Sequence, residues 1–279
     1  MSKKKRKVEW SFDFEGMGER FRQFFGDIVG DEVEVKSAEL YALREGASSA
    51  HIEIDFSVGK ASLIALPADS ENVFEAQINY IGEYEFEVSG AEERFIALRQ
   101  KGRFPRGVGH IIGNNKDLNW DIALAANVPY HLSVKGGIGE TDINLSNLLA
   151  DVVKLETGVG KVALTLPAQE KAFAASIDGG VGKTDVVIPA GIGGELDISG
   201  GVGEVIITVA ADAAVRLKTD AGIGKVNLPD SLIRIKGEDH FVGISGVWES
   251  ATFAEAGKQI MIDYDGGVGS FSLRHSPEI

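Results

Sequence analysis

The sequence predicts an all-β fold, a stacked repeat of the β-solenoid kind built from units of about 21 residues with Gly-x-Gly corners. Three observations carry this. A short glycine unit recurs at a nearly fixed interval, alternating apolar and polar residues flank its copies, and proline closes several of the alternating runs.

The recurrent unit is a small residue, then glycine or a substitute, then valine or isoleucine, then glycine. It ends at Gly139 (GGIG), Gly160 (TGVG), Gly182 (GGVG), Gly203 (GGVG), Gly224 (AGIG) and Gly269 (GGVG). The first five are 21 or 22 residues apart, and the last follows after 45, two periods plus a small insertion. An eroded copy, FSVG, ends at Gly59. Self-similarity at such a period marks a repeat architecture. A β-propeller is the competing arrangement, since two units make a blade-sized segment. Alternate units would then occupy different blade positions and differ, whereas here each copy looks like the next.

Runs such as HLSV, VKLE and VRLK precede the glycines, and TDINL, VALTLP, TDVVIP, VIITV and VNLP follow them. Period-two alternation marks strands with one buried face. The inward set before the corners reads Leu132, Val134, Val153, Leu155, Leu196, Ile198, Val215 and Leu217. After them it reads Ile143, Leu145, Val162, Leu164, Leu166, Val186, Ile188, Val205, Ile207 and Val209. The parity of the apolar set flips across each unit, which requires a bend or bulge. Glycine enters such geometry without a Cβ penalty and lets a neighbouring backbone come close. Pro67, Pro167, Pro189 and Pro229 fall where a strand hands over to a turn. A unit this short buries too little to fold alone, so stacking must supply the remaining burial and the inter-strand hydrogen bonds.

The period also divides the chain. Residues 31–279 read as a single all-β repeat domain: an irregular part at 31–130, regular repeats at 131–230, and an insertion with the C-terminal repeat at 231–279. Residues 1–30 are a basic tail, Lys3 to Lys7, followed by a short amphipathic segment in which Met17, Phe21, Phe24 or Phe25, and Ile28 recur at helical spacing. This segment suits weak contact with an anionic membrane surface. It equally suits a solvated tail plus a capping segment, and Asp13, Glu15, Glu19 and Asp27 oppose membrane binding. The insertion at 237–258 carries Phe241, Trp248 and Phe253. These rings are either a partner-contact surface or a plug for the open end of the stack.

Composition excludes several functions. The net charge of −14, despite the basic start, sets the chain against nucleic acid. With no cysteine there is no disulfide, thiolate-bound zinc or thiol nucleophile. Neither a secretory leader nor a window of ~18 apolar residues is visible. The expected location is cytoplasmic, with membrane association through residues 1–30 as the alternative.

The tempting motifs fail on chemistry. DGGVGKTD at 178–185 lacks the first glycine of a phosphate loop, because Ile177 stands there. GGIGETD and GGVGKTD resemble calcium nonapeptides but put Thr141 or Thr184 where the ligating acid belongs. Lys60, Glu140, Lys161, Lys183, Glu204, Lys225 and Ser270 follow the corners and should form a solvated column of mixed sign. Asp142, Asp185, Asp197 and Asp263 are outward carboxylates that a sugar-cleaving β-helix would need to pair. His51, His110, His131, His240 and His275 have no zinc-like spacing. We assign no catalytic residue, cofactor or metal, and expect a chain that is not an enzyme.

NWDIALAANVPYHLSVKGGIGETDINLSNL, VKLETGVGKVALTLP, IDGGVGKTDVVIP and WESATFAEAGKQIMIDYDGGVGSFSL together resemble the toast-rack family, which includes the soluble domain of LiaF-like, cell-wall-active-antibiotic response proteins of bacteria. The resemblance covers about residues 31–279. It implies many short strands arranged like racked slices, no enzymatic activity, a setting in envelope-stress signalling, and a related branch of adhesin-like proteins. The expected function is an interaction scaffold that presents a long acidic β-surface to a protein partner. The alternatives are a self-assembling structural protein or adhesin, and a carbohydrate-binding or carbohydrate-cleaving β-helix.

Overall fold

Alternation on both sides of a glycine unit produces single strands that run through the units ending at Gly59, Gly139, Gly160, Gly224 and Gly269, and pairs of strands that break at the units ending at Gly182 and Gly203. In the computed structural model, which describes residues 34–101, 118–239 and 244–276, the strands are β1 (Lys36–Leu43), β2 (Ser49–Ala65), β3 (Asn72–Tyr80), β4 (Glu83–Ser89), β5 (Glu93–Lys101), β6 (Asn119–Leu124), β7 (Pro129–Asn144) and β8 (Leu149–Thr165). They continue as β9 (Phe173–Asp178), β10 (Val181–Val187), β11 (Gly194–Ser199), β12 (Val202–Val209), β13 (Val215–Asn227), β14 (Leu232–Asp239), β15 (Ile244–Ser250) and β16 (Ile260–His275). The helical expectation for residues 10–30 lies outside the described residues.

Pairing divides at the glycines into two half-sheets that share the long strands. Before the glycines the order is β4-β5-β2-β7-β8-β9-β11-β16-β13-β15-β14. After them it is β1-β3-β6-β2-β7-β8-β10-β12-β16-β13. The pairings of β8, β10, β12, β16, β11 and β9 close into a circuit, and all of them are parallel. Both half-sheets bury their inward residues in one cluster: Leu132, Val153 and Leu196 from the first, and Ile143, Leu164 and Ile207 from the second.

The glycines stand in one lateral row. Gly59 is opposite Gly139, then Gly160, Gly182, Gly203, Gly269 and Gly224. Gly182 has φ +148°, and a Cβ there would lie 1.8 Å from the Gly160 carbonyl oxygen. The close approach and the left-handed backbone each select glycine. On β7 the buried positions run Tyr130, Leu132, Val134 and then Thr141, Ile143, an odd step that the glycines absorb.

The stack departs from chain order at both ends. The strand holding Gly269 lies between those holding Gly203 and Gly224, so the last strand in the sequence is internal. At the other end β5 and β6 lie outside β2, which precedes them in the chain. Antiparallel strands then finish the edges: β4, β3 and β1 at the β2 end, and the β14–β15 hairpin beside the first half of β13. The repeat identifies which segments stack but not which neighbours they choose. All these units offer the same register and the same glycine contact, and β15, backed by β14, occupies the side of the first half of β13 away from β16.

The core beneath β2, β3, β6 and the start of β7 is rich in rings. Trp120, Phe56, Phe74 and Tyr130 are almost wholly buried. The Tyr130 hydroxyl donates to the Ala125 carbonyl at 2.9 Å, which satisfies a polar group that burial would otherwise penalise.

Candidate functional site

The outward residues of the first half-sheet are brought into rows by in-register parallel pairing, with neighbouring strands about 4.8 Å apart. At the β2 end one row reads Phe95, His51, His131, Val152. His51 stacks on Phe95 with centroids 4.8 Å apart and meets His131 edge-on at 4.5 Å. Its Nε2 lies 2.8 Å from Glu93 Oε1. Beside this row Arg99 grips Glu53 with two donors, at 2.8 and 2.7 Å, and reaches Glu87 at 3.1 Å. The hydrogen bond from Arg99 holds the Glu53 carboxyl below the usual carboxylate range. These residues border an open concavity of about 430 Å³.

Toward β13 the same face turns acidic. Asp197 and Asp263 are direct neighbours across β11 and β16, with Lys218 next in the row. Asp178, Ser199, Asp265 and Asp220 form the adjoining row. Lys218 Nζ lies 2.6 Å from Asp263 Oδ2, and that hydrogen bond raises the ammonium pKa above its ordinary value. An open concavity of about 540 Å³ lies here, with Asp197, Asp220, Asp263, Asp265, Lys218 and Lys236 on its walls.

The other carboxylates considered in the sequence sit elsewhere. Asp142 and Asp185 lie on the second half-sheet and flank Ala163, while Asp263 is engaged by Lys218. The residues following the ladder glycines form a column: Lys60 contacts Glu140 at 3.0 Å and Lys183 contacts Glu204 at 3.6 Å. Lys183 also meets Asp185 at 3.2 Å, so the lysine of the phosphate-loop look-alike faces carboxylates. Among the described residues no group of three or more histidine, aspartate or glutamate side chains could hold a metal ion.

Gly139, Gly160, Gly182, Gly203, Gly224 and Gly269 come together in the lateral row described above. Trp248 and Phe253 are 9% and 3% exposed. Each is covered by an arginine of this chain: Arg234 lies 4.9 Å from the Trp248 ring and Arg216 lies 4.3 Å from the Phe253 ring. Phe241 lies outside the described residues. Sequence reading missed the His51–His131 pair, although each stands eight residues before its ladder glycine, Gly59 or Gly139. Aligning the eroded copy on the regular ones would have put the two histidines side by side.

Among the described residues no helix is long and apolar enough to cross a membrane. No curated protein matches the chain. One similar solved structure is a candidate cell adhesion protein from Clostridium sporogenes ATCC 15579, with a TM-score of 0.55, 19% identity, and coverage of 87% of this chain and 100% of that one. At that identity the likeness speaks to fold alone. A candidate adhesin from Bacteroides fragilis NCTC 9343 aligns with a TM-score of 0.31 and 10% identity, over 86% of this chain and 97% of that one. A family model described as the N-terminal domain of toast_rack, DUF2154, matches residues 29–187. With more than half of its sequence under that description, carried by the strands that hold Gly59, Gly139, Gly160 and Gly182, the chain belongs to the toast-rack family.

Proposed function

We propose that the chain is a non-catalytic interaction scaffold: a stack of about 21-residue solenoid units, cornered by glycine, that offers the outer face of its first half-sheet to a cationic surface on a protein partner. The supporting observation is the grouping of Asp197, Asp220, Asp263 and Asp265 on neighbouring strands around one open concavity, with Asp178 in the adjoining row, in a chain whose net charge is −14. Such a face accelerates encounter with a positively charged partner and repels acidic ones. The cell-adhesion description of the Clostridium sporogenes neighbour accords with a binding role. Envelope stress is the proposed setting on the strength of the family resemblance, with the chain on the cytoplasmic side. Genes for a sensor kinase and a response regulator beside its own would favour that setting.

The test is capture from the native cell by crosslinking, with the native chain beside a variant combining Asp197→Asn, Asp220→Asn, Asp263→Asn and Asp265→Asn. A protein retained by the first and lost by the second, with an unchanged melting temperature, supports the reading. Equal retention by both, or retention of a glycan with measurable hydrolysis, overturns it.

A further inference from the structure

The glycine ladder has a direction and an open end. A Cβ on each glycine would fall 1.7–1.8 Å from the carbonyl oxygen of the one before it: Gly139 against Gly59, Gly160 against Gly139, Gly182 against Gly160, Gly203 against Gly182, Gly269 against Gly203 and Gly224 against Gly269. Each carbonyl therefore points toward the β13 end. Beyond Ala221, where the β15 pairing ends, β13 is bonded only to β16 among the described residues. Ile223 on this stretch is 60% exposed.

The other edges carry the devices that discourage strand addition. β4 alternates Glu83, Glu85 and Glu87. β14 has a register shift between Arg234 and Lys236 and carries both cations. On β1, Lys36 Nζ reaches across to the Gly82 carbonyl at 3.4 Å. The β13 segment Gly222–Asn227 has Lys225 as its one charge. Gly222 to Lys225 and Asn227 are exposed, and among the described residues no strand pairs with that side, which makes the segment a template for another strand.

We infer that the occupant is the same segment of a second copy. Among the described residues the opposite end of the stack is finished by antiparallel strands, so a second copy offers this unguarded unit only at its own β13. Identical edges can meet only across a two-fold axis, which sets the strands antiparallel and closes the assembly at two. The pairing joins the second half-sheets of the two copies and covers Ile223 of each. A contact of six residues a side spans about 20 Å, so the dimer is concentration-dependent and not obligate. This inference stands apart from the acidic-face reading, because it concerns the other half-sheet and needs no foreign partner.

Sedimentation velocity of the full chain between ~1 and ~100 µM reads it directly, a range suited to a small interface. The expected result is conversion of monomer to dimer, with loss of the dimer in Ile223→Lys at an unchanged melting temperature. The chain has no cysteine, so Lys225→Cys, which this register sets beside the two-fold, should form an intermolecular disulfide while Tyr41→Cys, 66% exposed on β1, stays monomeric under the same oxidation. A monomer throughout the range, an open-ended polymer, a dimer that survives Ile223→Lys, or equal crosslinking at both positions overturns it.

Discussion

At the scale of single residues the glycine row is where sequence and backbone are most tightly bound. A side chain at Gly182 would have to occupy the space of the Gly160 carbonyl at φ +148°, so steric clash and backbone strain act together. Gly182→Val should cost about 3–5 kcal/mol, combining strain with overpacking, and in this chain that could abolish folding. Gly257→Ala is the control, because a Cβ there meets nothing within 4 Å. Thermal melts of the two variants decide it: an unchanged midpoint in Gly182→Val removes the close-approach account. The need for glycine was legible from the parity flip, since Val134 and Ile143 both belong to the inward set yet stand an odd number of residues apart. Whether the flip served a bend alone or a backbone contact as well was not legible. A clash with a carbonyl of another strand exists only once the strands are stacked.

Among the elements, β16 has the position least expected from its place in the chain. It pairs with β12 on one side and β13 on the other, and its first half also pairs with β11. Phe271 and Ile262 are almost wholly buried. In a stack that followed chain order, removing the last unit would cost one interface and leave the rest standing. Here, removing residues 260–279 takes out an internal strand and strands β13 with its hairpin. The expected outcome is a chain with no cooperative thermal transition by circular dichroism. A truncated chain that melts cooperatively close to the native midpoint would show that β12 and β13 can close the gap themselves. The alternating runs were enough to place β7, β8, β10, β12 and β13 from sequence. They could not rank Gly269 ahead of Gly224 as the neighbour of Gly203, because both copies carry the same unit.

For the molecule as a whole, one core ties the two ends together, and its tyrosines make that testable by pH. Tyr130 belongs to the ring-rich β2 end and Tyr264 to β16, and both lie in the same cluster. Burial pushes each hydroxyl's pKa above the ordinary value of 10.0. The folded chain thus holds these protons more tightly than the unfolded one. Their contribution to stability is complete below about pH 10 and is lost as pH rises from there toward the folded values. Denaturant melts between pH 8 and 11.5 should show stability falling in the alkaline range as a single transition, with a shallower fall in Tyr130→Phe. A flat profile, or two separate transitions, would contradict a shared core.

The sequence by itself determined the all-β class, the inward aliphatics on both sides of each ladder glycine, the glycine positions, and that Ile177 stands where a phosphate loop at 178–185 would need its first glycine. Each of these depends on local spacing, on whether neighbouring residues alternate or a required group is present. Tertiary structure alone decided the order of the strands at both ends, the meeting of His51 with His131, the burial of Trp248 and Phe253 under arginines, and the open edge at Gly224. These depend on which of several equivalent edges pair, and equal repeats carry no local mark of their neighbours. The choice is made by the hairpin and end strands that occupy the remaining edges.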